Sequence, residues 1–138
     1  MVDPIRVRRL LQALTRALAT LERESKASDE RRSDPMWLAG VEFTFVNAIE
    51  ACIDIAQHLS SSEGWGPPHS NAESMRMLAR HGILATDVAE EMAAAVGFRN
   101  VLVHQYADVD HSVTIARLGD HDVLHHFASA VAHFVPAG

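Results

Sequence analysis

MWLAGVEFTFVNAIEACIDIAQHL, residues 36–59, is apolar on more than one side when wound into a helix. Leu38, Val41, Phe45, Ile49, Cys52, Ile55 and Leu59 recur at helical intervals and form one stripe, while Trp37, Phe43 and Ile53 lie off it. A helix on the surface of a small domain buries one stripe, so a second buried side requires a second partner. In a chain of 138 residues that partner is another helix of the bundle or a second subunit, and the pattern favours both. The expectation is an all-α, up-and-down bundle of about five helices, one domain over residues 1–138, assembled as a homodimer.

Upstream, Asp3 followed by Pro4 reads as a helix cap with proline in the first turn, and Val7, Leu11, Leu14, Leu18 and Leu21 set a bundle helix ending near residue 25. Residues 22–34 read as a polar connection, with Ser33 or Asp34 capping the central helix. Downstream, residues 60–69 form a Ser-, Gly- and Pro-rich loop whose glycines suggest a mobile tip at Trp65. Ser70 and Glu73 have capping-box spacing for a short helix that stops at His81-Gly82. A longer helix starts at Thr86 or Asp87 and turns Val88, Met92, Ala95, Val96, Leu102 and Val103 inward. Val113 and Ile115 alternate as in an extended segment, and a last helix carries Leu124, Phe127, Val131 and Phe134.

The net charge of −6 weighs against a nucleic-acid partner, but its distribution softens the objection. Residues 1–32 hold eight of the 12 Lys/Arg and five of the 18 Asp/Glu, so the acidity belongs to the remainder. The N-terminal segment lacks the uninterrupted apolar core of a signal peptide, and no stretch is expected to cross a membrane; the cytoplasm is the expected location. An Arg-rich amphipathic start also fits a transit peptide or a membrane-surface helix, although its register suits packing against protein. The single cysteine, Cys52, lies in an apolar run and reads as a buried thiol in a reducing compartment.

The chemistry concentrates in Arg99-Asn100-Val101-Leu102-Val103-His104-Gln105-Tyr106. If the helix continued throughout, Arg99 and Tyr106 would share one face, and Asn100 and His104 an adjacent one. A guanidinium suits a phosphate and an imidazole suits proton transfer near neutral pH, so the set fits work on a phosphodiester. Each residue also has a plainer role: Arg99 as a helix-end cation, His104 as a helix-terminal histidine, Tyr106 as a packing aromatic with its hydroxyl outward.

Arg99, four residues, His104, one residue and Tyr106 resemble the Arg-x4-6-His-x-Tyr motif of HEPN-domain proteins, in particular the HepT-like family. The resemblance extends to helix order, to the apolar second helix around residues 46–56, to the Pro-Pro loop, to Val96-Gly97-Phe98-Arg99-Asn100 and to Asp108-Val109-Asp110. It implies a helical-bundle homodimer acting as a metal-independent endoribonuclease, the toxin of a toxin–antitoxin pair, with two motif copies facing each other across the interface. The family's catalytic Arg and His fall on Arg99 and His104, and its supporting polar residue and Tyr on Asn100 and Tyr106. The implied partner resembles a minimal, MntA-like nucleotidyltransferase that transfers AMP onto Tyr106. A rival reading keeps the motif for interaction alone, in a non-catalytic helical module that binds a nucleotidyltransferase or its substrate.

Metal-free cleavage of RNA needs a base for the 2′-hydroxyl proton, cations for charge growing on the phosphorus oxygens, and a proton for the leaving 5′-oxygen. His104 suits either proton role, Arg99 the phosphate, Asn100 the orientation of His104 or a bond to phosphate, and Tyr106 the placing of the scissile group. One chain supplies one such imidazole, so a two-histidine mechanism would use both subunits. No cofactor is expected. His121 and His125, with His126 and His133 nearby, have spacing that brings two imidazoles to one ion, but no third ligand is evident and no metal is expected. Arg6, Arg8, Arg9 and Arg16 either steer RNA or form an ordinary solvated face.

Overall fold

The computed structural model describes residues 2–136. Helix α1 (Pro4–Glu24) starts where the Asp3 carboxylate accepts the backbone N–H groups of Ile5 at 3.1 Å and Arg6 at 3.2 Å. It buries Val7, Leu14, Leu18 and Leu21 and leaves Arg6, Arg8, Arg9 and Arg16 exposed. A single turn, α2 (Asp29–Arg32), leads into the central α3 (Pro35–Ser62), which Asp34 caps by accepting the Met36 N–H. Next come α4 (Asn71–Arg80), capped by Ser70 on the Glu73 N–H, and α5 (Thr86–His104). A 3-10 turn (Tyr106–Asp108) joins α5 to α6 (His111–Gly119), and α7 (Asp122–Phe134) closes the chain against α1, α3 and α5.

The two short helices account for the difference from the five expected. Residues 22–34 are polar, as read, but Ser28 caps a turn by accepting the Arg31 N–H at 3.2 Å. The expectation of an extended segment at Val113 and Ile115 is wrong. Asp110 accepts both the Ser112 N–H and its hydroxyl, and the buried positions are Thr114 and Leu118, one helical turn apart. Val113 and Ile115 face outward at 43% and 36% exposure, and two alternating residues are too few to separate strand from helix. Trp65 is not a mobile tip either: its indole stacks flat on His81, ring centroids 4.0 Å apart, pinning the loop to the end of α4. Gly64 and Gly66 on either side take positive φ, as that tight return requires.

The bundle covers most of both sides of α3. Trp37 and Ile53 are buried with the main stripe, Cys52 is sealed in the core with its thiol pKa pushed well up by burial, and Phe45 meets Phe98 of α5 edge to face at 5.4 Å. Phe43 and Met36 are left outside at 66% and 75% exposure. By length and composition α3 could cross a membrane, contrary to the sequence expectation, but half of that apolar window is buried inside the bundle. Its interior acid, Glu42, bonds within the bundle to Thr114 and His111, which marks a core helix rather than a lipid-facing one.

Candidate active site

Helix α5 delivers the motif at its C-terminal end. Phe98 anchors the turn against Phe45, and this fixes the neighbouring Arg99 toward α3. There its Nε and Nη2 both donate to Glu50 Oε2, at 2.8 and 2.6 Å, and its Nη1 donates to Asn100 Oδ1 at 2.9 Å. The guanidinium is thus already oriented, with 14% of its side chain exposed. Glu50 and Asn100 engage three of the five guanidinium N–H groups and leave two that could bond a phosphate. Asp54, one turn beyond Glu50, has its carboxyl pKa raised by burial and by Glu50, with Arg6 and Arg99 opposing. Arg6 of α1 and Arg99 of the motif thus act on the same carboxyl.

Asn100 spends its side-chain oxygen on Arg99 and makes no hydrogen bond to His104, leaving its amide N–H groups for a ligand. His104 is the last residue of α5; its imidazole is exposed and has no hydrogen-bond partner among the described residues. Tyr106 lies past the helix end, so the shared Arg99/Tyr106 face fails: the chain tightens into a 3-10 turn after Gln105 and helical spacing no longer applies. The phenol is 53% exposed, and its ring meets the edge of His111 at 6.2 Å. The motif therefore divides into a fixed Arg99–Asn100 pair and an open His104–Tyr106 edge.

Three supporting groups were not evident in the sequence. Glu50, which holds Arg99, and Asp54, which feels the charge of Arg99, interrupt an apolar helix, and that interruption was the available signal. Glu42, 2% exposed, accepts from Thr114 at 2.6 Å and lies 2.9 Å from His111 Nδ1 through the same oxygen. It fixes the histidine that walls Tyr106. The histidine pair on the last helix also gains a neighbour: Glu22 lies within reach of His121 and His125.

The all-helical bundle thus carries an oriented guanidinium near the end of α5 and leaves an imidazole and a phenol open further along the same segment. The family model described as Ribonuclease HepT-like matches residues 10–131, and this chain belongs to that family. It is 29% identical over 110 residues to a tRNA nuclease HepT of Aphanizomenon flos-aquae, covering 79% of this chain and 75% of that protein. It is 32% identical over 77 residues to an mRNA nuclease HepT of Shewanella oneidensis, a match over 56% of this chain that spans about half, 54%, of that relative. Among solved structures, the tri-AMPylated S. oneidensis HEPN toxin in complex with MNT antitoxin superposes with a TM-score of 0.85 at 21% identity, covering 96% of this chain and 99% of that one. YutE of Bacillus subtilis, a cytosolic protein of unknown function, superposes at 0.82 with 18% identity, over 99% and 96% of the two chains.

Proposed function

We propose that this chain is the toxin of a HepT/MntA-like toxin–antitoxin pair, a cytoplasmic endoribonuclease that cleaves RNA without a metal. The observation that carries the reading is the division of the motif: Arg99 held ready by Glu50, and His104 and Tyr106 left open at the helix end that follows it. Arg99 and Asn100 take the scissile phosphate, and the guanidinium neutralises charge as it grows on the phosphorus oxygens. His104 exchanges the proton, either from the 2′-hydroxyl or to the leaving 5′-oxygen. Attack of the 2′-oxygen on phosphorus then expels the 5′-oxygen and leaves a 2′,3′-cyclic phosphate. Both proton transfers through imidazole require His104 from two chains, and a homodimer with the cleft at its interface meets that requirement. Exposed Phe43, Met36, Val113 and Val103, the last expected from its spacing to face inward, supply apolar surface for such an assembly.

Tyr106 is the proposed acceptor for AMP from a nucleotidyltransferase antitoxin, a role suited to an exposed phenol with no hydrogen bond to break. The added phosphodiester and nucleoside would repel and occlude an RNA phosphate at Arg99. Substituting His104→Ala tests the assignment. Loss of RNA cleavage and growth inhibition with partner binding retained supports it, whereas wild-type protein that binds the partner but never cleaves RNA favours a non-catalytic binding module.

A further inference from the structure

We propose that Glu22, His121 and His125 form a site for a zinc-class divalent ion that ties the end of α1 to the start of α7, apart from the Arg99–Tyr106 motif. One ligand atom from each residue lies within 4.8 Å of the other two. Ligands at the usual 2.0–2.1 Å from a tetrahedral ion stand about 3.4 Å apart. Glu22 Oε2 and His121 Nε2 are already at 3.5 Å. The remaining closure falls to His125, which is exposed; its ring lies 5.3 Å from that of His121, centroid to centroid.

His121 is the decisive residue. It is only 6% exposed, and its Nδ1 lies 3.0 Å from the Leu118 carbonyl oxygen. A carbonyl only accepts, so Nδ1 carries the hydrogen and Nε2 is left with the lone pair in the neutral ring. Nε2 is buried without a hydrogen-bond partner and faces the Glu22 carboxylate. A lone pair facing an anion is unfavourable unless a donor or a cation serves both. A proton would satisfy those two groups, but it gives no role to the third ligand atom, on His125, within 4.8 Å of the other two. A metal ion uses all three. Lys26 engages the other Glu22 oxygen, Oε1, at 3.6 Å and leaves Oε2 for the ion. Two imidazoles and one carboxylate suit zinc, with water completing the shell on the exposed side.

The ligands come from opposite ends of the sequence, so the bound ion would fasten α1 to the corner between α6 and α7. Untagged full-length protein, stripped with chelator and titrated with zinc chloride in a calorimeter, tests the site. Wild type should bind one ion per chain at micromolar concentration or tighter, with a rise in melting temperature. Glu22→Gln and His125→Ala, both exposed positions, should keep the helical circular-dichroism spectrum and each weaken binding at least tenfold, while His69→Ala in the loop should not. Wild type that shows no saturable binding, or binding undiminished by either site substitution, overturns the proposal.

Discussion

Two arginine–carboxylate clusters in this molecule use similar chemistry to opposite ends. Glu24, 6% exposed, takes Arg31 Nε on Oε1 at 2.7 Å and Arg31 Nη2 on Oε2 at 3.1 Å, with Trp37 Nε1 at 2.9 Å and Arg23 Nε at 3.2 Å. Every lone-pair direction is occupied and the knot locks α1, α2 and α3 together. Around Arg99 the ion pair to Glu50 is as short, yet Asn100 keeps free donors and His104 and Tyr106 have no side-chain hydrogen-bond partner among the described residues. A charge cluster that satisfies itself holds a fold, whereas one that ends in unfilled donors at an exposed edge is built to receive something.

Activity should break only on the open side. Arg99→Ala should lower RNA cleavage by about 100- to 1,000-fold, the usual cost of removing one transition-state donor. Its melting temperature should hardly move, since the freed Glu50 is 44% exposed and hydrates. Single-turnover cleavage and a thermal melt on the same sample check both halves.

Stability should break on the closed side. Glu24→Gln removes the charge beneath four N–H donors from three residues and should cost about 1–3 kcal/mol, read from urea denaturation, with cleavage by the folded fraction unchanged. The same carboxyl sets an acid dependence. Its pKa is lowered from 4.5 to about 2, by the Arg31 bond above all, then by Trp37 and Arg23, against the opposing effect of burial. The folded carboxyl titrates below the unfolded one, so its contribution is complete above pH 4.5 and is lost as pH falls toward 2. Denaturation at a series of acid pH values should show that loss in wild type and a flatter profile in Glu24→Gln.

The smallest effect concerns the exposed basic face of α1. Charge reversal at Arg6 and Arg9, on the exposed face of α1, should slow cleavage about three- to tenfold at low salt and less at high salt, if that face steers RNA. A rate that ignores both changes would make the face merely solvated.

Much of the architecture was legible because long periodic runs and their caps are local signals. Asp3, Asp34 and Ser70 cap helices as their spacing indicates, and the stripe from Val41 to Leu59 is buried as read. The short pieces were not legible: α2 and α6 are too brief to show a period, and Val113 and Ile115 misled because the buried residues of α6 are Thr114 and Leu118. The motif residues were visible as a cluster of unlike chemistry, but their division was not, because it depends on where α5 stops. Glu50 for Arg99, Glu42 for His111 and Glu22 for His121 are long-range partners that no spacing within the sequence reveals.

The central claim is that Arg99 and His104 cleave RNA through its own 2′-oxygen without a metal. The most direct measurement offers chelator-treated protein an RNA and its 2′-O-methyl counterpart, followed by analysis of the product ends. Cleavage of the RNA alone, with 2′,3′-cyclic phosphate ends and no loss of rate in chelator, is the predicted result. Cleavage of the methylated strand, or a rate that appears only when a divalent ion is added back, would contradict it.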